Sequence, residues 1–356
     1  MDNDPKVPLA PFHDAIPPLP LTDGALLIDT STLEKYTTCR RSMQYYGIQK
    51  REPSGEKVPL TFGKGVHLGL ESHYRGHNFE ETIQVMRKFY DNPLHTPPEG
   101  DHRTLAYSEH LLEKYQLHYY NEPFEILKDD EGEPYVERSF AVFLGNVEYG
   151  NPETELFESI PVFYTGRIDL IVVWDGKICP LDHKTTSMMG ARFFDEFYNG
   201  QQPIGYAWAV QKTFGVEVDG FVVNALACRK PTKTGKGIEF DRMKFAIDPE
   251  RIVEWEINTL TIIQDMVEDH SRGYFPMETK WCVGKYGKCP YFEVCTLPHS
   301  SRHKMLGSGL YRDVTWSPLE DATPLPRTPI GIEDPNNVFE KQAAEKADEL
   351  EGTDAK

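Results

Sequence analysis

Apolar and polar positions fall into two rhythms along this chain. Residues 249–272 (PERIVEWEINTLTIIQDMVEDHSR) repeat apolar side chains at i, i+3, i+4, which predicts a long amphipathic helix. The same period runs through 61–76 (TFGKGVHLGLESHYRG, closed by Gly76), 79–90 and 102–120, so 61–120 is expected to be mostly helical. STLEKYTTCRRSMQYYG reads as a helix start, with Thr30 or Ser31 as N-cap and Glu34 three residues beyond Ser31. YVERSFAVFLG (135–145) instead alternates with period two, as a strand does. Two aliphatic runs follow near 167–174 and 178–184, then a helix over 190–213 and a buried strand at 218–228 (VDGFVVNALAC). Helix, three strands, helix, strand, with helical additions on both sides, predicts an α/β sandwich core and not a doubly wound βαβ chain.

The two aliphatic runs pose a chemical question. In GRIDLIVVWDGKICPLDHKTTS (166–187), Asp175-Gly176 signals a two-residue type I′ turn. That turn sets Trp174 opposite Lys177, Val172 opposite Cys179 and Asp169 opposite Asp182. Ile171–Pro180 then becomes a non-hydrogen-bonded pair, where proline's missing N–H costs nothing. Residues two apart share a face, so Asp169, Asp182 and Lys184 are expected to converge at one end of the hairpin. The two carboxylates form the close type of pair, with Cα atoms ~4.5 Å apart. Like charges that near cost free energy unless a proton or a cation resolves them. Two carboxylates, a carbonyl and waters suit Mg²⁺ or Mn²⁺ better than a soft metal. Lys184 beside such an ion would handle a water and offset developing negative charge. An Asp–Lys salt bridge at a strand end is the plain alternative.

Composition narrows the picture further. The 356 residues carry a net charge of −18, against a simple nucleic-acid coat but compatible with a local basic surface. Arg229, Lys230, Lys233 and Lys236 fall together in CRKPTKTGKG with no acid among them. No apolar run approaches the ~18 residues of a membrane span. The acidic, Pro-rich start lacks the basic and apolar regions of a secretory signal, so a cytoplasmic chain is expected. Of six cysteines, Cys179 and Cys228 sit in predicted core strands, while Cys282, Cys289 and Cys295 crowd into WCVGKYGKCPYFEVC. A disulfide framework is not expected in such a compartment. The late spacing, six residues and then five, lacks the C-x-x-C knuckle of typical zinc sites.

Asp169, the hairpin and Asp182-His183-Lys184 resemble the PD-(D/E)XK nuclease superfamily, and the flanks are similar to its RecB-like branch. The branch pattern G-x-x-x-H-x-x-L-E appears as Gly63 to Glu71, with His67 at the metal-ligating position. Its Q-x-x-x-Y appears as Gln202 and Tyr206, at the i, i+4 spacing of one helix face. Glu137 stands where the family often has an acid on the first strand. The resemblance implies a restriction-endonuclease-like core with a mixed central sheet flanked by helices. It implies that His67, Asp169, Asp182 and the His183 carbonyl hold Mg²⁺ or Mn²⁺, and that Gln202 and Tyr206 line the path of the nucleic acid. Iron–sulfur members bracket the nuclease core with one early and three late cysteines. Cys39, Cys282, Cys289 and Cys295 would accordingly hold a [4Fe–4S] cluster as a structural staple, a Cys₄ zinc being the alternative.

The domain expectation is a Pro-rich arm at 1–29 and a nuclease domain at 30–312. Within the latter fall a helical insertion at 75–130 and a cysteine segment at 280–296. A linker and acidic tail fill 313–356. The expected activity is a metal-dependent DNA exonuclease acting on single strands or free ends, in recombination, repair or viral DNA processing. Arg229, Lys230, Lys233 and Lys236 would contact the backbone. With no G-x-x-x-x-G-K-[ST] motif, any unwinding would fall to a helicase or recombination partner. A structure-selective endonuclease and a non-catalytic iron–sulfur binding module are the alternatives.

Overall fold

The computed structural model describes residues 16–55, 57–231, 237–284 and 287–314. A mixed sheet of eight strands runs through its centre. Six strands matter for the site: β1 (Ala25–Ile28), β2 (Val136–Gly150), β3 (Phe157–Trp174), β4 (Lys177–Thr186), β5 (Gly220–Cys228) and β6 (Ile238–Ala246). Strand β3 pairs antiparallel with β2 along one edge. On its other edge it pairs parallel with β1 at residues 162–164 and antiparallel with β4 at residues 170–174. β4 continues parallel to β5, and β6 closes that side antiparallel.

The hairpin forms in the register the turn dictates. Asp175 and Gly176 both have positive φ (52° and 74°), as a type I′ turn requires. Trp174 faces Lys177, Val172 faces Cys179 and Ile171 faces Pro180.

Two helical layers cover the sheet. One face carries α2 (Val58–Tyr74), α3 (Phe79–Tyr90) and α4 (Leu105–His118), packing Phe62, Val66, Leu70, Ile83 and Leu111 against Leu170, Val172 and Leu181. The other carries α5 (Ala191–Tyr198), α6 (Gln201–Phe214) and α7 (Pro249–Ser271), packing Trp208, Trp255 and Ile263 against Tyr164, Ile171 and Val223. α1 (Thr30–Thr38) bridges from the end of β1 toward α6 and α7. Among the described residues no helix is long and apolar enough to cross a membrane.

Several boundaries differ from expectation, each for a local reason. The arm expected over 1–29 ends earlier, because Ala25–Ile28 joins the central sheet beside Val162–Tyr164. Asp29, not Thr30 or Ser31, caps α1, accepting the Thr32 N–H at 2.8 Å. The helix expected over 190–213 is two helices broken at Asn199–Gly200. β3 begins at Phe157, ten residues before the expected run, with Pro161 inside its first half obscuring the strand signal. β6 alternates too weakly to be read, its positions being mostly half-buried. The tail beyond residue 314 lies outside the described residues.

Gly166 lets β3 pass close beneath α6. A Cβ there would lie 2.7 Å from the Phe140 ring and 3.1 Å from Tyr206. Gly166→Ala is therefore expected to lower stability by about 1–3 kcal/mol, measured by urea denaturation. An unchanged midpoint would show that the aromatic pair can move aside.

Candidate active site

The β3–β4 ladder stops at Leu170–Leu181, one pair short of Asp169 and Asp182. Beyond it the strands part: residues 182–186 pair only with β5, and residues 165–169 have no ladder partner on that edge. The side chain of Asp169 takes over where the backbone ends, its Oδ2 accepting the His183 N–H at 2.7 Å. Alternation also breaks here. Ile168 and Ile171 lie in the core beneath α6, whereas Leu170 and Val172 lie in the core beneath α2. Opposite, Glu137 on β2 adopts φ +50°, a left-handed conformation that costs of order 1 kcal/mol or more in a residue with a Cβ.

The fork divides the expected cluster into two groups. Asp169 turns toward α2, where His67 Nδ1 lies 3.4 Å from its Oδ2 and 3.8 Å from Glu137 Oε1. One ligand atom each from His67, Glu137 and Asp169 lies within 4.8 Å of the others. Two carboxylates and one imidazole suit Mg²⁺ or Mn²⁺. Asp182 forms the second group. Its Oδ1 accepts Gln202 Nε2 at 3.1 Å, and its Oδ2 meets the Lys184 ammonium at 2.7 Å. That ion pair leaves the buried Oδ2 without a well-aligned hydrogen bond, and so with acceptor capacity to spare. Lys184 Nζ donates to Gln202 Oε1 at 2.9 Å, closing a triangle.

Charge explains how these groups titrate. Burial holds the Asp169 carboxyl well above the usual carboxylate range; Asp182 and Glu137 add to this, against the pull of His67. Burial alone would lower the His67 pKa, but Asp169 and Glu137 outweigh it and raise it to about 9. Lys184 is likewise pushed down by burial and up by Asp182, with a net rise, so it remains an ammonium. Without a metal, the cluster retains protons.

Other expected residues are placed less centrally. Glu71 is not part of the cluster: it pairs with Arg75, one turn on, at 2.9 Å. Tyr206 is buried against Phe140 and Phe221, not open to a nucleic-acid path. Arg229 lies just past the end of β5, away from the fork, donating to the Ser187 carbonyl at 3.1 Å and pairing with Glu239 at 2.8 Å. Lys230 is exposed, and Lys233 and Lys236 lie outside the described residues. Gly63 lets α2 pass close to β4, since a Cβ there would stand 3.2 Å from Thr185 Oγ1.

The His183 side chain anchors a network absent from the sequence reading. Asn224 Nδ2 donates to its Nδ1 at 2.7 Å and to the Tyr115 hydroxyl at 2.7 Å. Arg242 donates to Asn224 Oδ1 and pairs with Glu122. Tyr74 stacks on the ring at 5.5 Å. The network braces the backbone that tethers Asp169. Its one readable trace was Asn224, polar in an otherwise apolar strand. Glu34 on α1 lies close enough to Lys184 to raise its pKa and also went unread.

Away from the fork, Cys39, Cys282, Cys289 and Cys295 line one cavity of about 150 Å³ between α1 and the Thr279–Trp281 turn. Cys289 N–H donates to the Cys282 carbonyl at 2.9 Å, and Cys39 Sγ accepts the Glu278 N–H at 3.5 Å. Cys179 and Cys228 are buried in strands of the central sheet.

Comparison with known proteins gives one family. The model of the PD-(D/E)XK nuclease superfamily matches residues 30–296. No curated protein matches the chain. Among solved structures, one described as a "Putative exonuclease" from Eubacterium rectale is similar at 12% identity, over 73% of this chain and 86% of that one, with a TM-score of 0.44. Another, SSO0001, is similar at 13% identity, over 75% and 93%, with a TM-score of 0.27.

A proton-holding cluster sets the sign of the pH response. Between pH ~6.5 and ~9 the folded, metal-free protein binds more protons at His67 and Asp169 than the unfolded chain does, so stability falls as pH rises through that window. Saturating Mn²⁺ requires the deprotonated ligands, so it flattens the slope and binds tighter at higher pH. Melting temperatures from pH 6 to 9, with EDTA or Mn²⁺, check this. Asp169→Asn is expected to raise the metal-free melting temperature at pH 8. A fall there would contradict the charge assignment.

Proposed function

The chain belongs to the PD-(D/E)XK nuclease superfamily, and on that premise we propose that it is a divalent-metal-dependent deoxyribonuclease of the RecB-like type, acting from DNA ends. One observation carries this reading: His67, Glu137 and Asp169 meet at the fork beside the Asp182–Lys184–Gln202 triangle. His67, Glu137, Asp169 and Asp182 would hold Mg²⁺ or Mn²⁺, with the His183 carbonyl beside them. Such an ion, when bound, lowers the pKa of water and stabilises charge on the scissile phosphate. Lys184, kept as an ammonium by Asp182, offsets negative charge developing on the phosphoryl oxygens and orients the attacking water. Gln202 fixes both Asp182 and Lys184 in place. DNA, single-stranded or with free ends, is the substrate; strand separation of a duplex would fall to a partner helicase.

We further propose that Cys39, Cys282, Cys289 and Cys295 hold a [4Fe–4S] cluster. Their lining of a single cavity supports this. The cluster would join the helix before the sheet to the segment after it, as a staple.

End-labelled single-stranded DNA incubated in Mn²⁺ with anaerobically purified protein tests the activity. Lys184→Ala is expected to slow digestion by about 10²-fold or more, and equal rates would remove the lysine from the chemistry. Covalently closed circles should survive; their cleavage would favour a structure-selective endonuclease. Cys282→Ser is expected to lower the melting temperature by roughly 5 °C or more, further than Lys184→Ala does, and to bleach a brown chromophore that Lys184→Ala keeps. Equal melting temperatures for the two variants would contradict the staple.

A further inference from the structure

Two residues before Asp169 on β3 stands Arg167, a side chain the chemistry above does not use. Tyr164 and Ile168 lie in the core beneath α6, so Thr165, Arg167 and Asp169 share the opposite face. Arg167 is half-buried, and its Nε is fully buried with no hydrogen-bond partner. Its guanidinium forms no ion pair with Glu137, Asp169 or any other described carboxylate. Among the described residues, each other arginine that is not exposed has a carboxylate or carbonyl partner; Arg41 reaches the Phe275 carbonyl, and Arg242 reaches Glu122. Its cross-strand neighbour is Ser139, and Ala141 faces Thr165 to one side; to the other, Glu137 stands opposite Asp169, and both of those carboxylates meet His67.

A partly desolvated guanidinium without a partner is costly to maintain and is matched to an anion from outside. Resting on the nuclease reading, we propose that Arg167 forms a phosphate subsite that takes a non-scissile phosphodiester of the bound strand, at a linkage flanking the cut. Residues two apart on a strand are about 6.6 Å apart, which sets the subsite beside the metal cluster but separate from it. The fork leaves β3 without a ladder partner on that edge at residues 165–169, and of these only Arg167 is not buried, so the guanidinium is the part of this edge that a phosphate can reach. Arg167 would fix the register of the strand, and the Asp169 side of the fork would act on the adjoining phosphate.

Binding of single-stranded oligonucleotides, each carrying one neutral methylphosphonate at a different linkage, tests this. Affinity is read by fluorescence anisotropy with Mn²⁺ withheld, for wild type, Arg167→Gln and Arg167→Lys. Wild type is expected to lose roughly 10- to 100-fold when one particular linkage is neutralised. Arg167→Gln should bind native DNA more weakly by a similar factor and be indifferent to neutralisation at that linkage alone. Its slope of log affinity against log salt should fall by about 0.7, while Arg167→Lys keeps the slope. Because an unpartnered buried donor is removed, the melting temperature of Arg167→Gln should not fall. Arg167→Gln with the same linkage profile as wild type would overturn the subsite. So would a lowered melting temperature with affinity lost equally at every linkage, which marks a structural arginine. A wild type that shows the sensitive linkage but cuts nothing in Mn²⁺ would sink the nuclease reading and leave the subsite standing.

Discussion

Everything at the site depends on where one backbone ladder stops. Strands β3 and β4 pair as far as Leu170–Leu181, and the next link is a carboxylate, Asp169, accepting the amide of His183. A side chain replacing a ladder bond frees β4 to swing toward β5 and opens β3 on one edge. It also commits a buried carboxylate to a fixed place beside two other acids. Removing charge from water in this way is expensive, and the left-handed Glu137 adds strain. Stability is given up at the fork, and the rest of the fold must tolerate it.

The tolerance comes from both layers. On the α2 side, the Asn224–Arg242–Glu122 network clamps the His183 ring, so the amide that holds Asp169 cannot drift. On the α6 side, Gln202 bridges Asp182 and Lys184 from the first turn of its helix. Pro203 follows directly, in a turn whose N–H groups have no helical acceptor, so the proline costs little there. Rigid elements supply each group, and the charged atoms stay within a few ångströms without a ladder to hold them.

Much of this was legible in the sequence because it is local. The Asp-Gly turn fixed the hairpin register, and the register placed Pro180 where it does no harm. The mixed sheet flanked by helices followed from the periodicities and from the resemblance carried by His67, Asp169, Asp182 and Lys184. What could not be read is what depends on contact across the fold. Strict alternation set Asp169 and Asp182 on one face; the two stay within electrostatic reach of each other, but the break at Asp169 gives them different partners, His67 for one and Lys184 with Gln202 for the other. Glu71 and Tyr206 sit at motif positions, yet the structure gives them to Arg75 and to the core. Glu34 and Arg242 reach the site or its support from elements distant in sequence, and no spacing announces them.

Calorimetric titration of the metal-free protein with Mn²⁺ at pH 8 tests most directly whether the fork is a metal site. Wild type and Glu71→Gln should bind alike, because Glu71 is committed to Arg75, and Asp169→Asn should lose the binding. Unchanged Mn²⁺ affinity in Asp169→Asn would mean that the acids at the fork serve something other than a metal.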